Sequence, residues 1–496
     1  MWGRTRGTDD GMASSWWQRL VDVRVDEKRA LGWAFLYVFA LFVAYYVLRP
    51  IRDELGVTGG VRNLPWLFTG TLVAMLVLNP LFSHLVRLWS RRRFIAIAYR
   101  FFIVNLLLFM VALGWTTPEQ QVWVGRALFI WTSVFNLFVV SVFWSLMVDI
   151  FDARQGKRLF GLLAAGATAG GMVGSGVTAT LVMLMDKHWL LLVAALLLEV
   201  AVFASARLCA WQARQSGTDA QQGAVASDGA PVAADASVMV DSGRKSELSA
   251  AGVAGGGAVQ GRVGNSALRD EADIRSSGSR ESDRSGLGGG VFAGMTHTLR
   301  SPYLLGISAI ILLYTITSTF LYFQQAEIAS VQFPDRAERT AFFAQIDLWV
   351  NALTLLFQVF VTGALTRWLG VMVVLCILPA LSMLGFGLLW AWPTVAVFVM
   401  VQVARRVANF AFNKPTREVL FTHVAREDRY KAKNFIDTVV YRSGDQIGSW
   451  GYAALMAAGL GMSGISLVGV PLSLLWLGLA AWLGVQQRQA DGGLRG

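Results

Sequence analysis

The chain has 496 residues, of which 55% are hydrophobic, 12% aromatic and only 15% charged, with a formal net charge of +11. A soluble globular domain averages about 45–50% apolar and about 25% charged residues, and the mean hydropathy of +0.51 deviates in the same direction. These figures exclude a disordered protein, a disulfide-knit secreted module and a soluble enzyme; they assign the positive charge to loops flanking a membrane, so no nucleic-acid partner is expected.

Twelve apolar stretches read as membrane helices, at about 30–48, 64–86, 94–113, 122–148, 160–184, 189–208, 303–323, 343–366, 371–390, 393–412, 434–458 and 464–485. Each is long enough to cross ~30 Å of hydrocarbon at 1.5 Å per residue. The first follows a polar segment and lacks a small-residue cleavage site, so it is not a cleavable signal peptide. Basic residues alternate between loops. Arg87 and Arg91–Arg93 follow helix 2, Arg154, Lys157 and Arg158 follow helix 4, and Lys414, Arg417, Arg426, Arg429, Lys431 and Lys433 follow helix 10. The intervening loops carry few. The positive-inside rule then puts both termini in the cytoplasm of a multi-pass protein of the plasma (bacterial inner) membrane.

Residues 212–290 contain no Phe, Tyr or Trp and are rich in Gly, Ala, Ser, Asp and Arg. Such a segment cannot bury enough apolar surface to offset its ordering entropy, and it reads as a disordered cytoplasmic linker. The expected organisation is a cytoplasmic segment 1–29, a six-helix bundle 30–211, the linker 212–290, a second six-helix bundle 291–487 and a tail 488–496. The lipid bilayer and a small-molecule substrate are the expected partners, and the chain is expected to be a monomer.

Ionisable side chains inside membrane helices face a bundle interior or a wet cavity, so polar residues at helical spacing are informative. On helix 1, Tyr45, Arg49, Arg52 and Asp53 share a face, and Asp53 is within reach of Arg49. The alternative is an interfacial cluster of snorkelling side chains. On helix 8, Asp347, Asn351, Thr354, Gln358 and Thr362 form a stripe that lines a pore or glues two helices. Helix 10 carries Gln402, Arg406, Asn409, Asn413 and Arg417 on one face, with Arg405 beside it. Arginine suits planar recognition of phosphate or carboxylate, and a salt bridge from this face to Asp437 or Asp445 is the alternative. Helix 11 places Asp437, Tyr441 and Asp445 in register with Arg442 adjacent, and helix 7 does the same with Tyr314, Ser318, Tyr322 and Gln325. Tyrosines there stack on a base or fill the core. Arg100, Arg126 and Glu199 stand apart.

The site expected from these patterns has Tyr45, Arg49, Arg52, Asp347, Asn351, Gln358, Arg405, Arg406, Asn409, Asn413, Arg417 and Tyr441 around a substrate. Asp53, Asp437, Arg442, Asp445 and Glu199 are the candidates for coupling or gating. Catalytic and metal-ligating residues and cofactors are not expected: Cys209 and Cys376 and the four histidines make no ligand spacing, and there is no Walker motif. The run Gly166, Gly170 and Gly174 in helix 5 reads as two small-xxx-small steps for close helix approach rather than a phosphate loop.

Six plus six helices around a long central loop resemble the major facilitator layout, whose halves rock about a midplane site. Tyr46–Leu55 (YVLRPIRDEL) also resembles the end of the first helix of the ATP/ADP translocases, a distant branch of that superfamily. Phe143–Trp144 with Gln155–Phe160, Gln332–Pro334 with Phe343 and Asp347, and Lys414–Glu418 with Lys431–Lys433, Asp437, Arg442 and Gly444 follow in the same order. The resemblance implies a nucleotide or other organic-anion exchanger working by alternating access. The chain departs from the family where Asp445 stands at a usual lysine, where Gln155 stands at a glutamate, and near Tyr322 and Ala326, where a glutamate and a lysine are expected. Loss of two cations and gain of an anion weaken the expectation of triphosphate binding; a unit charge at 4 Å is worth on the order of 4 kcal/mol at an effective dielectric of ~20. A proton-coupled facilitator using Asp445, Asp347 and Glu199 is the second expectation, and a transport-inactive scaffold or sensor the third.

Overall fold

The computed structural model describes residues 27–88, 91–228, 298–421, 432–433 and 435–493. They are almost entirely helical. In chain order the helices are α1 (Lys28–Thr58), α2 (Leu64–Leu88), α3 (Arg91–Trp115), α4 (Pro118–Ile150), α5 (Ala153–Leu181) and α6 (Lys187–Asp228), then α7 (Pro302–Gln332), α8 (Arg336–Phe360) and α9 (Thr362–Ala391). They continue with α10 (Val395–Leu420), α11 (Tyr441–Ala457) and α12 (Met462–Gly493).

The starts of several helices follow from local chemistry. Thr117 precedes α4, where Gln120 accepts its backbone N–H at 3.1 Å, and Pro118 occupies the first helical position, where no N–H is needed. Asp335 caps α8 by accepting the N–H groups of Ala337 and Glu338 at 2.8 and 3.0 Å, which holds its carboxyl below the usual carboxylate range. Gly60 takes φ +91 at the α1–α2 turn, and Gly370 takes φ +73 within α9, a conformation that costs an L side chain more than glycine.

The break at Gly370 falls between the expected helices 8 and 9. α8 is interrupted at Val361, which keeps a helical conformation, and Thr362 lies on the helical stretch that runs on to Gly370. The linker boundary shifts, because α6 continues through residues 212–228. That stretch is polar but rich in Ala and Gln, with no proline before Pro231. Residues 229–290, the N-terminal 1–26 and Arg426, Arg429 and Lys431 lie outside the described residues. The expected tail 488–496 is helical to Gly493.

Eleven of the described helices are long and apolar enough to cross a bilayer. α11 is the exception, with 17 residues and Arg442 and Asp445 within them; a π-helical stretch, Ile436–Val440, precedes it. A second π-helical stretch, Asn409–Asn413, interrupts α10. Such wide turns recur at functional sites because they displace side chains from the regular helical rows.

Short connections make successive helices antiparallel, so the α1–α2, α5–α6 and α7–α8 turns share one end, and the α2–α3 and α4–α5 turns the other. Three apolar cores follow this axis. One fills the first bundle around Tyr37, Tyr99, Phe135 and Phe143. Another fills the second bundle toward the α2–α3 end around Ile307, Leu420, Ile436 and Trp476. The third joins the bundles at the α1–α2 end, packing Val57, Leu64, Leu67 and Phe129 against Phe320, Phe323, Phe343 and Tyr452.

The glycine run of α5 seats α1. A Cβ added to Gly170 would lie 2.6 Å from the Phe39 carbonyl oxygen, and one on Gly174 2.5 Å from that of Val43. Gly171 faces another way, toward α8, where a Cβ would meet Asn351 Oδ1 at 2.8 Å. The absence of side chains therefore brings α5 against α1 on one face and α8 on another.

Candidate functional site

The polar faces of α1, α8 and α10 converge on Asp347, which is 3% exposed. Arg49 Nη1 of α1 approaches one of its oxygens at 3.2 Å and Arg406 Nη2 of α10 approaches the same oxygen at 2.7 Å. One carboxylate thus sits between two guanidinium groups, one from each bundle. Arg406 Nη2 is buried without a hydrogen bond of good geometry, and Thr354 Oγ1 and Arg417 Nε are buried without a partner. Unfilled buried donors of this kind call for a partner. Around this centre Asn351 donates to the Asp347 backbone carbonyl at 2.8 Å, Gln358 meets Thr168 of α5 at 3.3 Å, and Gln402 donates to Gln325 of α7 at 2.8 Å. Tyr45 packs edge-on to Tyr46, whose ring lies 5.7 Å from the Arg49 guanidinium.

Toward the α1–α2 end the bundles are tied together. Asp53 receives Arg52 at 2.6 Å and the Tyr322 hydroxyl of α7 at 3.0 Å. Its partner is therefore Arg52 rather than Arg49, because Asp347 occupies Arg49. Beyond it lies Glu54, fully buried, which accepts Lys187 of α6 at 2.7 Å, Arg336 of α8 at 3.2 Å and the Thr58 hydroxyl at 2.6 Å. Arg336 also donates to Gln121 of α4 at 2.9 Å. Nothing in the spacing of Glu54 marks it, since its partners are 133 and 282 residues away. In the sequence it is one more charge beside Arg49, Arg52 and Asp53 at the end of helix 1. Thr69 of α2 bonds Gln446 of α11 at 2.9 Å, and Trp66 stacks edge-on to Trp450 at 4.9 Å.

Away from the α1–α2 end the second bundle pairs its own charges. Toward the α2–α3 end Arg417 pairs with Asp437 at 3.2 Å and Lys433 with Glu418, and at mid-depth Arg442 pairs with Asp445 at 3.2 Å. Asp445 is thus paired with Arg442. The expected salt bridge from the α10 face to Asp437 is made by Arg417, and Arg406 pairs with Asp347 instead. Asn413 donates to Asn409 at 3.3 Å, the Lys414 ammonium lies 4.9 Å from the Phe410 ring, and Tyr441 packs against Tyr314. The two π-helical stretches flank this group.

Two expected residues lie elsewhere. Arg405, next to Arg406 but turned about 100° around the helix, points into the second bundle. It donates to Ser382, Ser318 and Thr317 at 2.8, 2.8 and 2.5 Å and lies over the rings of Tyr314 and Trp476. Glu199 pairs with Arg100 at 3.2 Å on the outer face of α3 and α6, far from Asp347, so neither stands alone as the sequence suggested. Among the described residues no group of acidic, His and Cys side chains could hold a metal.

Among these residues, Arg49, Arg52, Arg406, Lys414, Arg417 and Arg442 accompany Asp53, Asp347, Asp437 and Asp445, so cations exceed acids.

Comparison with known proteins agrees with this architecture. The chain is 24% identical over 222 residues to ADP,ATP carrier protein 2 of Chlamydia pneumoniae, covering 39% of this chain and 41% of that one. It is 22% identical over 174 residues to ADP,ATP carrier protein 1 of Chlamydia muridarum, covering 31% and 33%. Less than half of each carrier is therefore spanned. Among solved structures, a POT family transporter in complex with 5-aminolevulinic acid superposes with a TM-score of 0.58 at 11% identity over 93% of this chain and 96% of that one. An auto-inhibited POT family peptide transporter superposes at 0.55 with 14% identity, over 93% and 97%. These structures share the fold. The Major Facilitator Superfamily profile matches residues 31–444, and the chain belongs to that superfamily of multi-pass membrane transporters.

Proposed function

We propose that the chain is a secondary transporter of an organic anion with nucleotide-like chemistry, exchanged by alternating access about Asp347. The observation that carries this reading is the single carboxylate held between Arg49 and Arg406, one from each bundle. A phosphate or carboxylate on the substrate competes with Asp347 for two guanidinium groups whose planar donors suit it. Once displaced, Asp347 no longer ties α8 to α1, and substrate binding loosens the joint between the bundles. Lys414 and Arg417 supply further positive charge on the way in, and Tyr45 and Tyr441 offer ring faces for a base.

The basic loops at the α2–α3 end support a cytoplasmic position for that end, and the α1–α2 end, where the bundles share an apolar core, is then the outer one. The partial similarity to the chlamydial ADP,ATP carriers supports the substrate class, while Asp445, paired with Arg442, adds no free cation. Counter-exchange in proteoliposomes tests the reading. Labelled nucleotide uptake is expected in the wild type and lost in Arg406→Ala, with the variant still folded in the membrane. Uptake unchanged by Arg406→Ala removes Arg406, and the anion site with it.

A further inference from the structure

α3 and α6 carry a charged pair that the transport pathway does not use. Arg100 and Glu199 are 3.2 Å apart, with side chains 61% and 50% exposed. Large apolar side chains surround them on the same outer face, including Ile97, Phe101, Leu196 and Phe203, all exposed. Arg100 lies roughly 22 Å along α3 before Trp115, and Glu199 roughly 18 Å along α6 beyond Lys187, at 1.5 Å per residue. Trp115 and Lys187 belong to the same end of the molecule, so the two depths agree and fall inside a hydrocarbon core ~30 Å thick. Ionised side chains at that depth turn to a bundle interior, a wet cavity or a partner. Here the bundle interior lies behind them. Arg100 itself forms one wall of a cleft of about 180 Å³ whose other walls, Ile95, Ala96, Val202, Ser205 and Cys209 among them, are small or branched and admit a protruding side chain.

We propose that this face joins two copies of the chain about a two-fold axis along the membrane normal. Such an axis keeps depth and orientation and exchanges left for right. It therefore sets Glu199 of each copy against Arg100 of the other, at the one depth where both charges lie. The pair is neutral and self-complementary, so four charges close on one another out of lipid. A lone helix carrying a single charge would leave one of the pair unmatched. A small-residue cleft next to an exposed Phe101 gives each copy both a hole and a knob. The association departs from the monomer expected from sequence, and it leaves Asp347, Arg49 and Arg406 untouched.

Energy transfer between donor- and acceptor-labelled copies in lipid vesicles, at graded protein-to-lipid ratios, tests this. The wild type is expected to associate. The double swap Arg100→Glu/Glu199→Arg keeps the pair within each chain and is expected to associate with itself. Wild type and double swap together are expected to sort apart, since like charges then meet across the axis, with cross-association weaker by about tenfold or more. Copies carrying Arg100→Glu alone and copies carrying Glu199→Arg alone are expected to lose self-association and to associate with each other. A wild type that stays monomeric at every ratio overturns the proposal. So does a double swap that mixes freely with wild type, and that arm leaves the chain's own pair intact whether or not the single variants fold.

Discussion

The two ends of the molecule use the same kinds of residue in opposite ways. At the α1–α2 end an apolar core is shared by both bundles, and the ion pairs of Glu54 join α1 to α6 and α8. At the α2–α3 end the second bundle closes its own core, and Arg417 and Lys433 pair with acids of that bundle. Ion pairs that cross the bundles fix their relative position; pairs within a bundle leave it free to move. Asp347 stands at the boundary between these regimes. It crosses the bundles through Arg49, and Arg406 holds the same oxygen from its own bundle.

The largest effect should follow from breaking the crossing at Asp347. Asp347→Ala leaves Arg49 and Arg406 buried together, and removing one partner of a buried pair costs about 3–5 kcal/mol. A fall of that order in denaturation of the purified protein, together with lost uptake, is expected; retained uptake would place the substrate elsewhere. Glu54→Gln weakens the sealed end without touching the centre. A loss of about 1.4 kcal/mol there multiplies the population open to the α1–α2 side by about ten. Labelling of a cysteine placed at Val57, buried in the core of that end, by an impermeant reagent should quicken accordingly, and an unchanged rate would mean that the apolar core alone holds that end.

Gly174→Ala tests the seat of α1 on α5. Its new methyl group would meet the Val43 backbone oxygen at 2.5 Å, and overpacking of this sort costs about 1–3 kcal/mol. Arg405→Leu sharpens the contrast with Arg406. It removes the guanidinium donor of Ser382, Ser318 and Thr317, while Ser382 and Thr317 keep their bonds to the Leu378 and Leu313 carbonyls, so the loss is about 1–3 kcal/mol in all. Stability should fall while substrate affinity in the surviving protein stays unchanged; a changed affinity would bring Arg405 into the pathway. The smallest effect belongs to Asp335→Ala, with about 1 kcal/mol lost at neutral pH. Because the folded-state pKa of Asp335 lies below its unfolded value, its contribution is present above about pH 4 and fades as the pH falls further. The stability difference between wild type and variant should narrow in acid.

The regular parts of this arrangement were legible in the sequence. All twelve apolar stretches correspond to helices, because a bilayer crossing demands a long apolar run. Asp347, Asn351 and Gln358 were grouped correctly on one face by their spacing of three and four. The small-residue steps of α5 identified a close approach, although not that α1 would make it. Pairings between distant helices were not legible. Asp347 is 298 residues from Arg49 in sequence, a separation no periodicity covers. The spacing rule offered Asp53 to Arg49, whereas the adjacent Arg52 takes it. Arg405 and Arg406 look equivalent in a polar stripe, but one step of helix rotation sends them to a bundle interior and a bundle boundary. Glu54, Lys187 and Arg336 each looked like an ordinary helix-end charge until the fold brought them together.

The account rests on the arginines around Asp347 binding an anion. Thermal denaturation of the purified protein with and without ADP or ATP measures this directly. A nucleotide at about 100 times its dissociation constant should stabilise the wild type by about 2.7 kcal/mol, and the same concentration should barely shift Arg406→Ala. Equal stabilisation of wild type and Arg406→Ala, or stabilisation of neither, would contradict an anion site at Asp347.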